Sequence, residues 1–178
     1  FNEEPHETCP LCGTEPETNK HILRCGCEEM VEERTRLTET FKEEQSKIGT
    51  HQAMTRIMIQ LLQDTEEVMR HHEHRSEADG LGTLRARQRN IGYGNFKSGW
   101  WTTAWKEQHD QMRRRGHRSR YSGDKWAPRA MKIVWDYIDG QWKFRNGLIH
   151  GANEEEQHEI ERERLEQQAS DLYDDRLD

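Results

Sequence analysis

The sequence predicts a mainly α-helical fold: a small Cys/His knuckle at the N-terminus, a Trp-rich helical bundle and a charged C-terminal helix. Three observations predict it. All four cysteines, Cys9, Cys12, Cys25 and Cys27, fall within the first 27 residues, and all six tryptophans fall between Trp100 and Trp142. Elsewhere, apolar residues recur at helical spacing in a background that is 34% Asp, Glu, Lys and Arg. Leu, Ile, Val and Phe make up only 27 of 178 residues, below the roughly 20% at which disorder becomes a serious reading. The net charge of −7 is too small for a self-repelling coil, and six Trp with six Met supply bulk that the aliphatic count misses. The chain therefore reads as folded on a thin core.

The N-terminal cluster comes first. A disulfide framework spreads its cysteines along a chain, whereas this clustering points to a local site. Cys9-Pro10-Leu11-Cys12-Gly13 has the form of a knuckle, in which a tight turn aims two thiolates at one point and Gly13 allows a close backbone approach. His21 and Cys25 stand four residues apart, which on a helix capped by Thr18 or Asn19 would place both on one face. Three thiolates and an imidazole suit Zn2+. Cys27, six residues from His21, would face elsewhere, which favours Cys25 as the fourth ligand and leaves Cys27 a free thiol. Four protein ligands close a site, so the expectation is one structural Zn2+ in a Cys3His knuckle over residues 1–27.

Residues 28–69 read as a helical hairpin. Met30, Leu37, Phe41 and Ile48 mark one amphipathic helix ending near Gly49, and Thr50 caps a second that carries Ala53, Ile57, Leu61, Leu62 and Val68. Residues 70–83, with His71, His72, His74, Gly80 and Gly82 and almost nothing apolar, read as a linker. The three His are read as solvated, because adjacent imidazoles do not converge on a metal without a scaffold.

Residues 84–151 form the basic, Trp-rich part. A short helix from Leu84 runs to a break at Ile91-Gly92-Tyr93-Gly94, and another follows from about Ser98 through Trp100, Trp101, Trp105 and Met112. Asp124 can cap a long helix bearing Trp126, Met131, Val134, Trp135, Ile138 and Trp142, with Pro128 tolerated in its first turn. Trp135, Ile138 and Trp142 share a face that reads as a packing core. Residues 152–178 form an acidic helix with a thin stripe of Ile160, Leu165, Ala169 and Leu172, suited to a surface or a partner.

Charge is segregated along the chain. Residues 84–145 hold 15 Lys and Arg against 5 Asp and Glu, while residues 146–178 hold 3 against 11. The densest positive run is Arg113-Arg114-Arg115-Gly116-His117-Arg118-Ser119-Arg120-Tyr121. Arg113, Arg114, Arg115, Arg118 and Arg120 are candidates for phosphate contacts, with Tyr121 beside them for stacking. The opposing reading pairs these arginines with the acidic helix.

The order Cys9, Cys12, Glu17-Thr18, His21, Cys25 resembles the zinc-binding region that follows the reverse transcriptase domain in non-LTR retrotransposon proteins. Gln88, Ile91-Gly92, Phe96, Trp105, Gln108, Gly123, Trp126, Trp135 and the run Trp142-x2-Arg145-Asn146-x2-Ile149-His150-Gly151 look like the helical segment downstream of that site. The resemblance covers positions 9–25 and roughly 88–151 and implies Cys9, Cys12, His21 and Cys25 as metal ligands. The polymerase itself has no counterpart in the 178 residues, and no carboxylate set of the ribonuclease H kind follows.

These readings converge on a non-enzymatic, zinc-stabilised accessory module that binds RNA or DNA with low sequence specificity. The alternative is a subunit that docks onto a larger protein assembly through its acidic tail and Trp surface. Asn146 and His150, four residues apart, form the only polar pair suggestive of catalysis, and no nucleophile accompanies them. No stretch approaches the roughly 18 apolar residues of a membrane span, and the polar start has no signal-peptide core. The expectation is a soluble intracellular protein, nuclear or cytoplasmic, whose start at Phe1 marks processing or an excerpt.

Overall fold

The computed structural model describes residues 8–63, 81–151 and 153–174. Among them the elements are helical: α1 (Asn19–Ile22), α2 (Glu28–Lys47), α3 (Gln52–Gln63), α4 (Gly82–Ile91), α5 (Tyr93–Lys97), α6 (Ala104–Arg114), α7 (Gly123–His150) and α8 (Glu154–Asp174). The sole β-type pairing among the described residues is an isolated bridge between Thr8 and Pro16. No helix among them is long and apolar enough to cross a membrane. Val68 and most of the predicted linker, including His71, His72 and His74, lie outside the described residues. The end of that linker is described, and there Gly82 and Thr83 already belong to α4.

The chain divides into two compact units, residues 34–139 and residues 1–33 together with 140–178, and α2 and α7 each contribute to both. This division groups the two ends of the sequence.

The core of unit 34–139 is made of residues that helical spacing turns inward. Phe41 from α2, Met54, Ile57, Met58, Leu61 and Leu62 from α3, and Trp105 from α6 are all nearly or fully buried with Trp126, Ala130 and Val134 of α7. Phe96, Trp101, Trp105 and Trp126 stack and tilt on one another, with ring centres 4.7 to 6.3 Å apart. Aromatic pairs at such separations add to the stabilisation that their buried area already provides. α3 returns along α2, so that Gln63 at its end donates to Thr38 at 2.8 Å.

Several local expectations are corrected. Trp100 and Trp101 precede α6, which starts at Ala104. The break in the chain is confined to Gly92, and Tyr93 and Gly94 open α5. Trp135 and Trp142 do not form a packing core: each is about half exposed, 50% and 51%, because α7 turns a different face inward. Two helix starts are capped by residues other than those expected. Asp110 on α6 accepts the N–H of Gly123 at the start of α7, while Asp124 pairs with Lys106. His51 Nδ1 accepts the N–H of Ala53 at the start of α3, and the Thr50 hydroxyl is engaged in the core. α8 begins in a reciprocal box, Asn153 accepting from the N–H of Glu156 and donating to its carboxylate. Leu165 on α8 is 60% exposed and Ile160 half-buried.

Candidate metal centre

The loop from Thr8 to Pro16 closes on itself through the Cys9 N–H donating to Glu15 O at 2.8 Å and the Gly13 N–H donating to Cys9 O at 2.9 Å. Gly13 takes φ +63°, and a Cβ there would meet open space. It is therefore the left-handed backbone conformation, not a close approach, that calls for glycine here. Thr18 caps α1 by accepting from the N–H of His21 at 3.0 Å.

The premise of a single helix face for His21 and Cys25 is corrected. α1 ends at Ile22, Leu23 caps it, and Cys25 lies beyond in irregular chain. The turn nevertheless brings the two side chains together. The donor atoms of Cys9, Cys12, His21 and Cys25 all lie within 4.8 Å of one another, and Cys9, His21 and Cys25 are buried. Cys9 Sγ and Cys25 Sγ are 3.9 Å apart, and Cys12 Sγ and His21 Nε2 are 3.3 Å apart. A tetrahedral Zn2+ with ordinary bond lengths separates two sulfurs by about 3.8 Å, and a sulfur from a nitrogen by about 3.6 Å. The two observed separations are close to these values, and all four donors lie close enough together to hold a metal ion. Cys27 is half-buried beside Cys25 and outside the set of four.

The electrostatics of the donors separate them. The Thr14 hydroxyl, 3.3 Å from Cys12 Sγ, acts with the backbone N–H groups of Thr14 and Glu15 to bring the Cys12 thiol down to about 6. Burial works to raise Cys9, but the N–H groups of Cys12 and Leu11 and the His21 ring outweigh it and hold the thiol below its ordinary value. Burial pushes the Cys25 thiol up to about 12. For His21, burial opposes the charged form, while Glu15 and the Cys9 sulfur more than offset it and raise the imidazole.

Sequence reasoning missed the partners around the donors. Glu15 Oε2 lies 3.0 Å from His21 Nδ1 and fixes the ring so that Nε2 faces the thiols. Glu17 takes the guanidinium of Arg145, which is buried at 4% exposure on α7. Met30 and Phe144 pack against the cysteines. Glu15 has no sequence signal of its own, and Glu17, though part of the Glu17-Thr18 pair, gives no hint in the sequence that Arg145 is its partner.

The arginine run lies at the end of α6 and in the loop before α7. Arg113 pairs with Asp110 at 3.1 Å. Arg114, Arg115, Arg118 and Arg120 are exposed, and none forms an ion pair with a described carboxylate. His117 and Ser119 turn inward between them. His117 Nε2 lies 3.0 Å from Gly49 O, and the Ser119 hydroxyl donates to Ile48 O at 3.3 Å. Lys47, Arg118 and Arg120 share the edge of an open groove of about 540 Å³ with Ser46 and Ser119. Tyr121 is covered by two guanidinium groups, Arg120 at 4.8 Å and Arg129 at 4.4 Å from its ring centre. Asn146 and His150 make no hydrogen bond to each other.

Compared with known proteins, the chain matches no family model, no curated protein and no solved structure.

Proposed function

We propose that this chain is a non-enzymatic accessory module of retroelement origin, stabilised by one structural Zn2+ and binding RNA or DNA through phosphate contacts with little sequence preference. Its place of action is intracellular, nuclear or cytoplasmic, where thiolates stay reduced. The retroelement assignment rests on the order of Cys9, Cys12, Glu17-Thr18, His21 and Cys25. The donor chemistry supports Zn2+: three thiolates and one imidazole, close enough together to hold one ion, match its preferences and fill its four positions. When bound, the ion would hold the 8–16 loop to α1 and contribute folding energy directly.

The observation that carries nucleic-acid binding is how the acids of the basic segment are used. Glu107 pairs with Arg87, Asp110 with Arg113, Asp124 with Lys106 and Asp136 with Lys132. Four of the five acids in 84–145 are thus spent on other cations, and Arg114, Arg115, Arg118 and Arg120 keep their charge for a ligand. The inward anchors His117 and Ser119 hold Arg118 and Arg120 outward before any phosphate arrives, which lowers the ordering cost of binding. Guanidinium groups with no base-reading frame recognise charge and shape, so binding falls steeply with salt.

The test is fluorescence anisotropy with RNA and DNA from about 50 to about 200 mM salt. Replacing Arg114, Arg115, Arg118 and Arg120 together by Ala should flatten the log–log salt slope on duplex DNA by up to about 3.6, from roughly 0.9 per phosphate contact. Absence of binding at the lowest salt overturns the proposal. The exposed Trp100, Trp135 and Trp142 favour the second reading, a protein-docking subunit, which then remains.

A further inference from the structure

A ridge on α7 passes from cations to an indole. Arg129, Lys132 and Trp135 follow at three-residue spacing, which puts neighbouring Cβ atoms about 5–6 Å apart on a helix surface. All three are exposed. Contacts within unit 34–139 extend the ridge at both ends. At the charged end, Arg129 and Arg120 both lie over the Tyr121 ring, which makes the arginine loop continuous with the helix. At the other end the Trp135 indole lies against the backbone of Gly99, where a Cβ would stand 2.8 Å from Trp135 Cζ2. The next residue is Trp100, the most exposed large apolar side chain described, at 70%.

Resting on the nucleic-acid reading above, we propose that this ridge selects single strands: backbone phosphates on Arg120, Arg129 and Lys132, bases stacked on Trp135 and Trp100. Exposed indoles are costly to keep in water, and the same unit buries Trp105 and Trp126 almost completely. A duplex hides the faces of its bases in its own stack, so only an unpaired strand can use both the cations and the open indole faces. Tyr121, expected from the sequence to stack on a base, has its ring taken by two guanidinium groups, which transfers the stacking role to the two tryptophans. Lys132 is held by Asp136 at 2.6 Å, an exposed i,i+4 pair of little strength that a phosphate can displace.

The experiment measures anisotropy of labelled single strands of about 20 nucleotides, oligo(dT) and oligo(U), and of a duplex of the same length, with the full chain. Trp100→Ala and Trp135→Ala should each raise the single-strand Kd about fivefold or more while leaving the duplex Kd within about twofold. Trp100→Phe and Trp135→Phe should retain most of the single-strand affinity, since a phenyl ring still stacks. Thermal melts of all four variants monitor folding. Unchanged single-strand affinity in both Ala variants overturns the ridge while leaving the phosphate reading in place, and so does an equal loss for strand and duplex. If the parent protein binds neither nucleic acid at low salt, the phosphate reading fails first and the ridge with it; Trp variants that then alter only self-association or protein capture would assign the patch to a protein.

Discussion

Thr50 offers the sharpest test of how unit 34–139 is held together. Its hydroxyl accepts from Trp126 Nε1 at 2.7 Å and donates to Gln45 Oε1 at 2.6 Å, and Gln45 in turn donates to Ala130 O at 3.3 Å. Thr50 is 5% exposed, and Gln45 and Trp126 are fully buried, so water cannot replace any partner. Thr50→Val keeps the shape and removes the oxygen, stranding the indole N–H and the Gln45 carbonyl. Each stranded group costs about 1–3 kcal/mol, so the expected loss is about 2–6 kcal/mol. For a chain of this size, each kcal/mol lowers Tm by about 2–4 °C, which predicts a fall of about 4–24 °C. Thr50→Ser keeps the hydroxyl and loses one buried methyl, worth about 0.8 kcal/mol. Urea unfolding of the parent and both variants, prepared identically, measures both. A Thr50→Val loss below about 1 kcal/mol, or a Thr50→Ser loss as large, would refute the network as a source of stability.

Three further outcomes follow from the site and from the buried imidazoles. Purified parent chain should carry one Zn2+ by elemental analysis; Cys25→Ser should abolish it and Cys27→Ser should not, and the opposite pattern would exchange their roles. Glu15→Gln removes the carboxylate that orients His21 and should weaken Zn2+ affinity about 10–100-fold, read by competition with a chelator. Stability should fall in mild acid: burial holds both His51 and His109 below the ordinary imidazole value of 6.5, so the unfolded chain takes up more protons than the folded one there. Their contribution is complete above 6.5 and declines as the pH drops below it toward their folded values. His109→Phe, which keeps a ring stacked on Trp126, should flatten the fall in urea midpoint between about pH 7.5 and 5.5. Comparing this variant with the parent cancels the acid sensitivity that the thiolate site gives to both; an equally steep fall in both proteins would clear His109.

What could be read in the sequence, and what could not, divides by the range over which a residue acts. The four donors were legible because a knuckle and a nearby His and Cys need only a short loop to meet, even though the helix invoked to join His21 with Cys25 ends too early. The role of Glu15 and the pairing of Glu17 with Arg145 were not, since a carboxylate's partner is undefined until the turns are in place. The caps expected at Asp124 and Thr50 failed for the same reason: neither stands at the cap position, and tertiary partners hold their side chains, whereas Thr18 caps α1 locally.

The long helix shows the limit most clearly. Its buried line is Trp126, Ala130, Val134, Tyr137, Gln141 and Arg145, a run of fours with a single three that follows the helical period closely. Two of those six are polar and one is alanine, so apolar bulk does not mark the line, while Trp135 and Trp142 draw a heavier stripe beside it. Binary patterning follows whichever face is most apolar, and on α7 that face is turned to solvent. A buried Arg145 requires a partner, and Glu17 supplies it, which is why the inward face could give up apolar residues near the metal centre. The indoles left outside are then not surplus core. Trp135 is exposed within unit 34–139 on the same stretch of helix as Arg129 and Lys132, and its exposure makes sense if a ligand covers it.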